Sequence, residues 1–157
     1  MKVQEVTEIL KSYLKKKGLK YTHQRQVVTE VFFDSAARGV HPTIDELYVR
    51  VRDVEPRIGY ATVYRTIKLF EECKLASPRR FGDNQTRYEP EMPGEHHDHM
   101  ICQSCGAILE FEDERIESLQ ELVARELGFE LADHKMVLFG TPSDPCQVSV
   151  CRRNAAT

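Results

Sequence analysis

The segment Ala61-Thr62-Val63-Tyr64-Arg65-Thr66-Ile67-Lys68-Leu69-Phe70 decides the fold of the first half of the chain. Val63, Ile67 and Phe70 recur at three- and four-residue spacing and form one apolar helical face, while Tyr64 and Arg65 fall outside it. Pro56 and Gly59 mark a break before the segment. After it come Leu75 to Pro78, the pair Arg79-Arg80, a turn at Gly82-Asp83-Asn84, and Thr86-Arg87-Tyr88, which together read as a short hairpin. A helix that keeps an aromatic and an arginine on its outer side, followed by a basic hairpin, is the closing part of a winged helix-turn-helix.

Upstream, Val3, Val6, Ile9, Leu10, Tyr13 and Leu14 fall at helical spacing, and Gly18 stops the run. Thr22 suits the N-cap of a second helix with Val27, Val28, Val31 and Phe32 on one face. Thr43 with Glu46 three residues on predicts a capping box, opening a third helix through Leu47 and Val51. Downstream, Glu89 to Glu95 is polar and carries Pro and Gly, the composition of a hinge. Beyond it, strand-like runs at His99 to Cys102, Ala107 to Phe111 and Met136 to Gly140 flank one helix bearing Ile116, Leu119, Leu122, Val123 and Leu127. The expected class is α+β. A winged-helix DNA-binding domain spans residues 1–88, a hinge 89–95, and a small α/β dimerisation and metal-binding domain 96–157. The second core is too thin to stand alone comfortably, so dimerisation is expected.

Charge divides along the same line. Residues 1–88 hold 17 Lys and Arg against 11 Asp and Glu, net +6, whereas residues 89–157 hold 5 against 14, net −9. The whole-chain value of −3 therefore hides a basic module suited to a polyanion and an acidic one suited to cations. The apolar fraction of 41% and charged fraction of 30% are those of a soluble globular protein. No apolar run approaches the roughly 20 residues that span a bilayer, and the N-terminus lacks the pattern of a signal peptide. A cytoplasmic location without membrane association is expected.

Five cysteines are present, and four form two close pairs: Cys102 with Cys105, and Cys146 with Cys151. In a reducing compartment, two such pairs favour metal over disulfides, and four thiolates match the closed tetrahedral shell of a structural zinc. Cys73 stands alone within a helical stretch and reads as core. The run His96-His97-Asp98-His99 lies just before a strand. Extended, it sends His97 and His99 to one face and His96 and Asp98 to the other, so that one tetrapeptide can feed two metal sites. Glu89, Glu110, Glu117, His41 and His134 are candidates for the remaining ligands. Mixed imidazole and carboxylate shells suit Fe(II), Mn(II), Zn(II), Co(II) or Ni(II) better than Cu(I). For DNA, Tyr64 and Arg65 can meet base edges, while Lys15 and its lysine neighbours, Lys20, Arg79 and Arg80 can neutralise phosphates. A metal-dependent hydrolase, the competing class, needs an open coordination position and an acid–base group. No H-E-x-x-H helix is present, and no enzymatic activity is expected.

Gly18-Leu19-Lys20-Tyr21-Thr22 with Gln24-Arg25, Ala61 to Thr66, Phe81-Gly82-Asp83, Arg87-Tyr88-Glu89, His96 to Cys102 and the paired cysteines together resemble the ferric uptake regulator (Fur) family of metal-dependent repressors, over nearly the whole chain. The resemblance implies a homodimer, with a tetramer as a further assembly, on an inverted-repeat operator of double-stranded DNA. Lys20 reaches a minor groove in that picture, and Tyr64 and Arg65 work in the major groove. It also implies a division of ligands. His41, Glu89, His97, His99 and Glu110 form a regulatory site bridging the two domains; His96, Asp98, Glu117 and His134 form an additional site. The implied cofactors are one structural Zn2+ per subunit and a regulatory Fe2+, for which Mn2+, Co2+ or Zn2+ can substitute. Iron sensors of the family tend to carry Glu where Glu110 stands, and peroxide sensors Asp. Iron-dependent control of iron-uptake genes is therefore expected ahead of peroxide or zinc sensing. Two features depart from the family pattern: the tail after Cys151 is short and without histidines, and Asn84-Gln85-Thr86 occupies the wing.

Overall fold

In the computed structural model, residues 3–82, 84–91 and 97–142 are described. The chain divides into the units Met1–Glu95 and His96–Thr157. The first contains helices α1 (Val3–Lys16), α2 (His23–Ala37), α3 (Ile44–Val54) and α4 (Tyr60–Glu72), then an antiparallel ribbon of β1 (Ala76–Arg80) and β2 (Thr86–Pro90). Helix α1 buries Val6, Leu10 and Leu14, one residue per turn. It ends where Gly18 takes a positive φ of 67°, which lets the Leu19 N–H return to the Leu14 carbonyl at 2.9 Å. Thr22 caps α2, its Oγ1 accepting the Arg25 N–H. At α3, Thr43 Oγ1 accepts the Glu46 N–H and Glu46 Oε2 accepts the Thr43 N–H, both at 3.1 Å, closing the capping box.

Helix α2 is buried more widely than a single apolar stripe allows. Phe33 is covered as well as Phe32, and with Phe70 of α4 they form a cluster with ring centroids 5.0 to 5.7 Å apart. Thr29 and Ser35 are buried on the same helix because each hydroxyl donates to the carbonyl four residues back, at 2.7 and 2.8 Å.

The ribbon pairs Ser77 with Glu89, Pro78 with Tyr88 and Arg79 with Arg87. Side chains alternate along each strand, so Ser77, Arg79, Arg87 and Glu89 share one face. Tyr88 lies on the other and enters the core. Pro78 is tolerated because both strands of a two-stranded ribbon are edges. Strand β2 runs through Glu89 and Pro90, so the ribbon extends into the segment expected as a hinge from residue 89 onward. The rest of that segment, residues 92–95, lies outside the described residues.

In the second unit, β3 (Asp98–Cys102) is central. β4 (Ile108–Phe111) pairs antiparallel on one side and β5 (Val137–Gly140) parallel on the other. Helix α5 (Glu114–Glu126) starts at its N-cap Asp113, whose side chain accepts the Arg115 N–H. None of its residues is buried, and Leu119, Leu127, Phe129 and Phe139 of this unit are each more than half exposed. Among the described residues no helix is long and apolar enough to cross a membrane.

Candidate metal centre

His41 and Glu89 meet in the first unit. His41 lies in the short loop before α3 and Glu89 on β2; Nε2 of the imidazole is 3.8 Å from Oε1 of the carboxylate, and both side chains are 3% exposed. Three neighbours hold this loop. The Arg87 guanidinium donates to the His41 carbonyl at 3.0 Å and to Glu46 Oε2 at 2.9 Å. The Tyr88 N–H donates to the Pro42 carbonyl at 2.9 Å. Phe81 packs its ring edge-on against the imidazole, centroids 5.6 Å apart. The α3 capping box therefore shares Glu46 with Arg87, tying helix, histidine and ribbon together. Arg87 and Phe81 carry no ligand atom, and reading for ligand types passes over them. The signal was strand alternation, which puts Arg87 two residues from Glu89 and on its face.

In the second unit, β3 separates its acidic and imidazole groups by the same alternation. His99, 2% exposed, is registered against Glu110 of β4. Asp98, fully buried, lies with Glu117 of α5 and His134: one ligand atom of each falls within 4.8 Å of the others. His134 Nε2 is 3.6 Å from Asp98 Oδ1 and 3.5 Å from Glu117 Oε2. Two ligands about 2.1 Å from one ion at a tetrahedral angle sit roughly 3.4 Å apart, so this trio fits a divalent cation with little movement. His97 is half-buried at the approach to β3, and His96 lies outside the described residues.

Cys102 ends β3, buried, and Cys105 follows across a tight turn. The Gly106 N–H donates to the Cys102 carbonyl at 2.8 Å and the Cys102 N–H to the Ala107 carbonyl at 2.9 Å, with Gly106 at φ 70°. That positive φ suits glycine and brings the chain straight back into β4. Cys146 and Cys151 lie outside the described residues. Cys73, by contrast, packs against the core at the end of α4, where burial pushes its thiol up to about 11.

On α4, Tyr64 is 44% exposed and Arg65 is exposed beside it, while Val63, Thr66 and Ile67 are buried. Lys15 and Lys20 are exposed, and the Arg25 guanidinium donates to the Lys20 carbonyl, which anchors the backbone of that loop. Arg80 is exposed on the wing. Arg79, also expected at a phosphate, donates from Nε to Glu89 Oε2 at 2.8 Å, and its side chain is 19% exposed. Alternation along β1 sends these neighbouring arginines to opposite faces.

Comparison with known proteins identifies the family. Residues 16–139 match the model of the ferric uptake regulator family. A ferric uptake regulation protein of Rhizobium leguminosarum bv. viciae is 41% identical over 138 residues, covering 88% of this chain and 94% of the relative. Among solved structures, the Helicobacter pylori ferric uptake regulator Fur, described as having three functional metal binding sites, matches with TM-score 0.80 and 32% identity, covering 95% of this chain and 96% of that one. A zinc-bound manganese uptake regulator matches with TM-score 0.66 and 42% identity, covering 85% and 98%. The chain belongs to the ferric uptake regulator family, and it is a metal-responsive, DNA-binding transcription regulator and not an enzyme.

Proposed function

We propose that this protein is an Fe(II)-dependent repressor of iron-uptake genes, acting in the cytoplasm as a homodimer on an inverted-repeat operator. One regulatory cation takes ligands from both units: His41 and Glu89 from the DNA-reading one, and His97, His99 and Glu110 from the other. Asp98, Glu117 and His134, with His96, hold an additional cation, and the four paired cysteines hold a structural zinc. Residues 1–88 serve as the DNA-binding domain, 89–95 as the connection and 96–157 as the dimerisation domain. The observation that carries this reading is the His41–Glu89 pair, an imidazole and a carboxylate buried 3.8 Å apart at the root of the wing. A neighbouring imidazole and carboxylate are the donor types that a divalent first-row cation takes.

The mechanism is a shift of population. The cation binds more tightly when the units present all its ligands at once, so its arrival favours the state with the recognition helices at operator spacing. DNA in turn tightens cation binding by the same factor. In the complex, Lys20 lies in a minor groove, Tyr64 and Arg65 contact major-groove edges, and Lys15 and Arg80 contact phosphates.

Anaerobic fluorescence anisotropy on inverted-repeat DNA tests this, with Fe(II), Mn(II) and Zn(II) supplied separately. Tight binding only with cation, lost in Glu89→Gln and in His99→Ala, is the expected result. Operator binding that ignores cations in the wild type would end the proposal. A manganese sensor is the second reading, favoured by the 42% identity to a manganese uptake regulator. Half-saturation at a lower Mn(II) than Fe(II) level would select it.

A further inference from the structure

We infer that Arg79 sets the cation threshold of this regulator, as a positioning residue that holds one carboxylate oxygen of Glu89 while directing the other at His41. The inference rests on the reading of Glu89 as a ligand given above. The two oxygens of Glu89 have different neighbours: Oε2 accepts from Arg79 Nε at 2.8 Å, and Oε1 lies 3.8 Å from His41 Nε2. Arg79 reaches Glu89 diagonally across the ribbon, because the register opposes it to Arg87 and places Glu89 opposite Ser77. The pair is enclosed, with side chains 19% and 3% exposed.

Two consequences follow from that geometry. A charge-assisted bond to Oε2 fixes the orientation of the carboxylate before any cation arrives, and turns Oε1 toward His41. The guanidinium brings a positive charge with it. A divalent ion on Oε1 then sits a few ångströms from a fixed positive charge, which weakens its binding by on the order of tenfold even with water-like screening. Arg80, one residue on and on the opposite face, stays free of this duty and faces solvent. The wing thus divides two adjacent arginines between cation threshold and polyanion contact.

The test is Mn(II) titration of the full-length protein without DNA, free ion being followed by electron paramagnetic resonance. A His134→Ala background removes a ligand of the other candidate site. Arg79→Gln keeps an amide donor for Glu89 Oε2 but removes the charge, and should bind Mn(II) about tenfold more tightly. Arg79→Lys restores the charge and should return affinity to near the parent value, a rescue that a merely structural role does not predict. Arg79→Met, neutral and of similar length, repeats the measurement should Arg79→Gln not fold. Neutral variants that bind at or below the parent affinity, while Glu89→Gln loses binding, would overturn the role of Arg79. Unchanged binding in Glu89→Gln would instead remove Glu89 from the ligands, a distinguishable failure of the underlying reading.

Discussion

At the scale of single residues, placement by neighbours matters as much as ligand identity. His41 stands where Arg87, Phe81 and the Pro42–Tyr88 backbone bond hold it. Arg87→Ala should therefore destabilise the first unit by about 1–3 kcal/mol, read as a lower urea midpoint, because two partly buried acceptors lose a charged donor. Cys102→Ser should reduce bound zinc, measured by mass spectrometry of purified protein, to well below one per chain. The same variant should lower Tm, since ligation supplies folding free energy. Full zinc content in that variant would exclude a thiolate shell containing Cys102. Cys73 should behave oppositely to a ligand. With its thiol pushed up to about 11 by burial, it stays protonated near neutral pH, so iodoacetamide should modify it more slowly than an open peptide thiol at pH 8.

Elements are set by their ends. Removing the hydroxyl that closes the α3 capping box, in Thr43→Ala, should cost about 1 kcal/mol by chemical denaturation. The same box holds Glu46 for Arg87, so metal affinity should fall with it. At α5, the Asp113 carboxyl is held down at about 2, first by the Arg115 side chain and then by the Arg115 backbone N–H. Its folded value lies below the ordinary one near 3.9. The contribution is therefore fully present above pH 4 and is lost as pH falls through 2. Thermal melts of wild type and Asp113→Ala should differ at pH 5 and converge toward pH 2; a gap that widens in acid would show the sign to be wrong. Helix limits and caps were legible in the residues themselves, because Thr22, Thr43 and Gly18 act on chain within one turn. The burial of α2 on more than one side was not, since it depends on Phe70, arriving from far along the chain.

For the whole molecule, charge and apolar surface are both segregated. The basic first half and acidic second half should give operator binding that weakens steeply with salt, with a log–log slope near −0.9 for each phosphate neutralised. The exposed Leu119, Leu122, Val123 and Leu127 leave α5 with an apolar surface that its own unit does not cover. A second copy of the chain is the proposed cover. Leu119→Glu combined with Leu122→Glu should halve the mass in sedimentation velocity and abolish binding to a two-half-site operator. A variant that stays dimeric would move the interface elsewhere.

Local information in the chain determined the elements, the charge division, the cysteine spacing and the separation of Asp98 from His99 onto opposite faces, because period, capping and alternation act between residues close in sequence. Tertiary structure alone decided which distant groups meet. It turned Arg79 inward onto Glu89, carried β2 past Tyr88, set His134 beside Asp98 and Glu117, and braced His41 with Arg87. Each of those contacts pairs residues brought together by strand register or helix packing, and the free energy of such a contact depends on everything else buried around it.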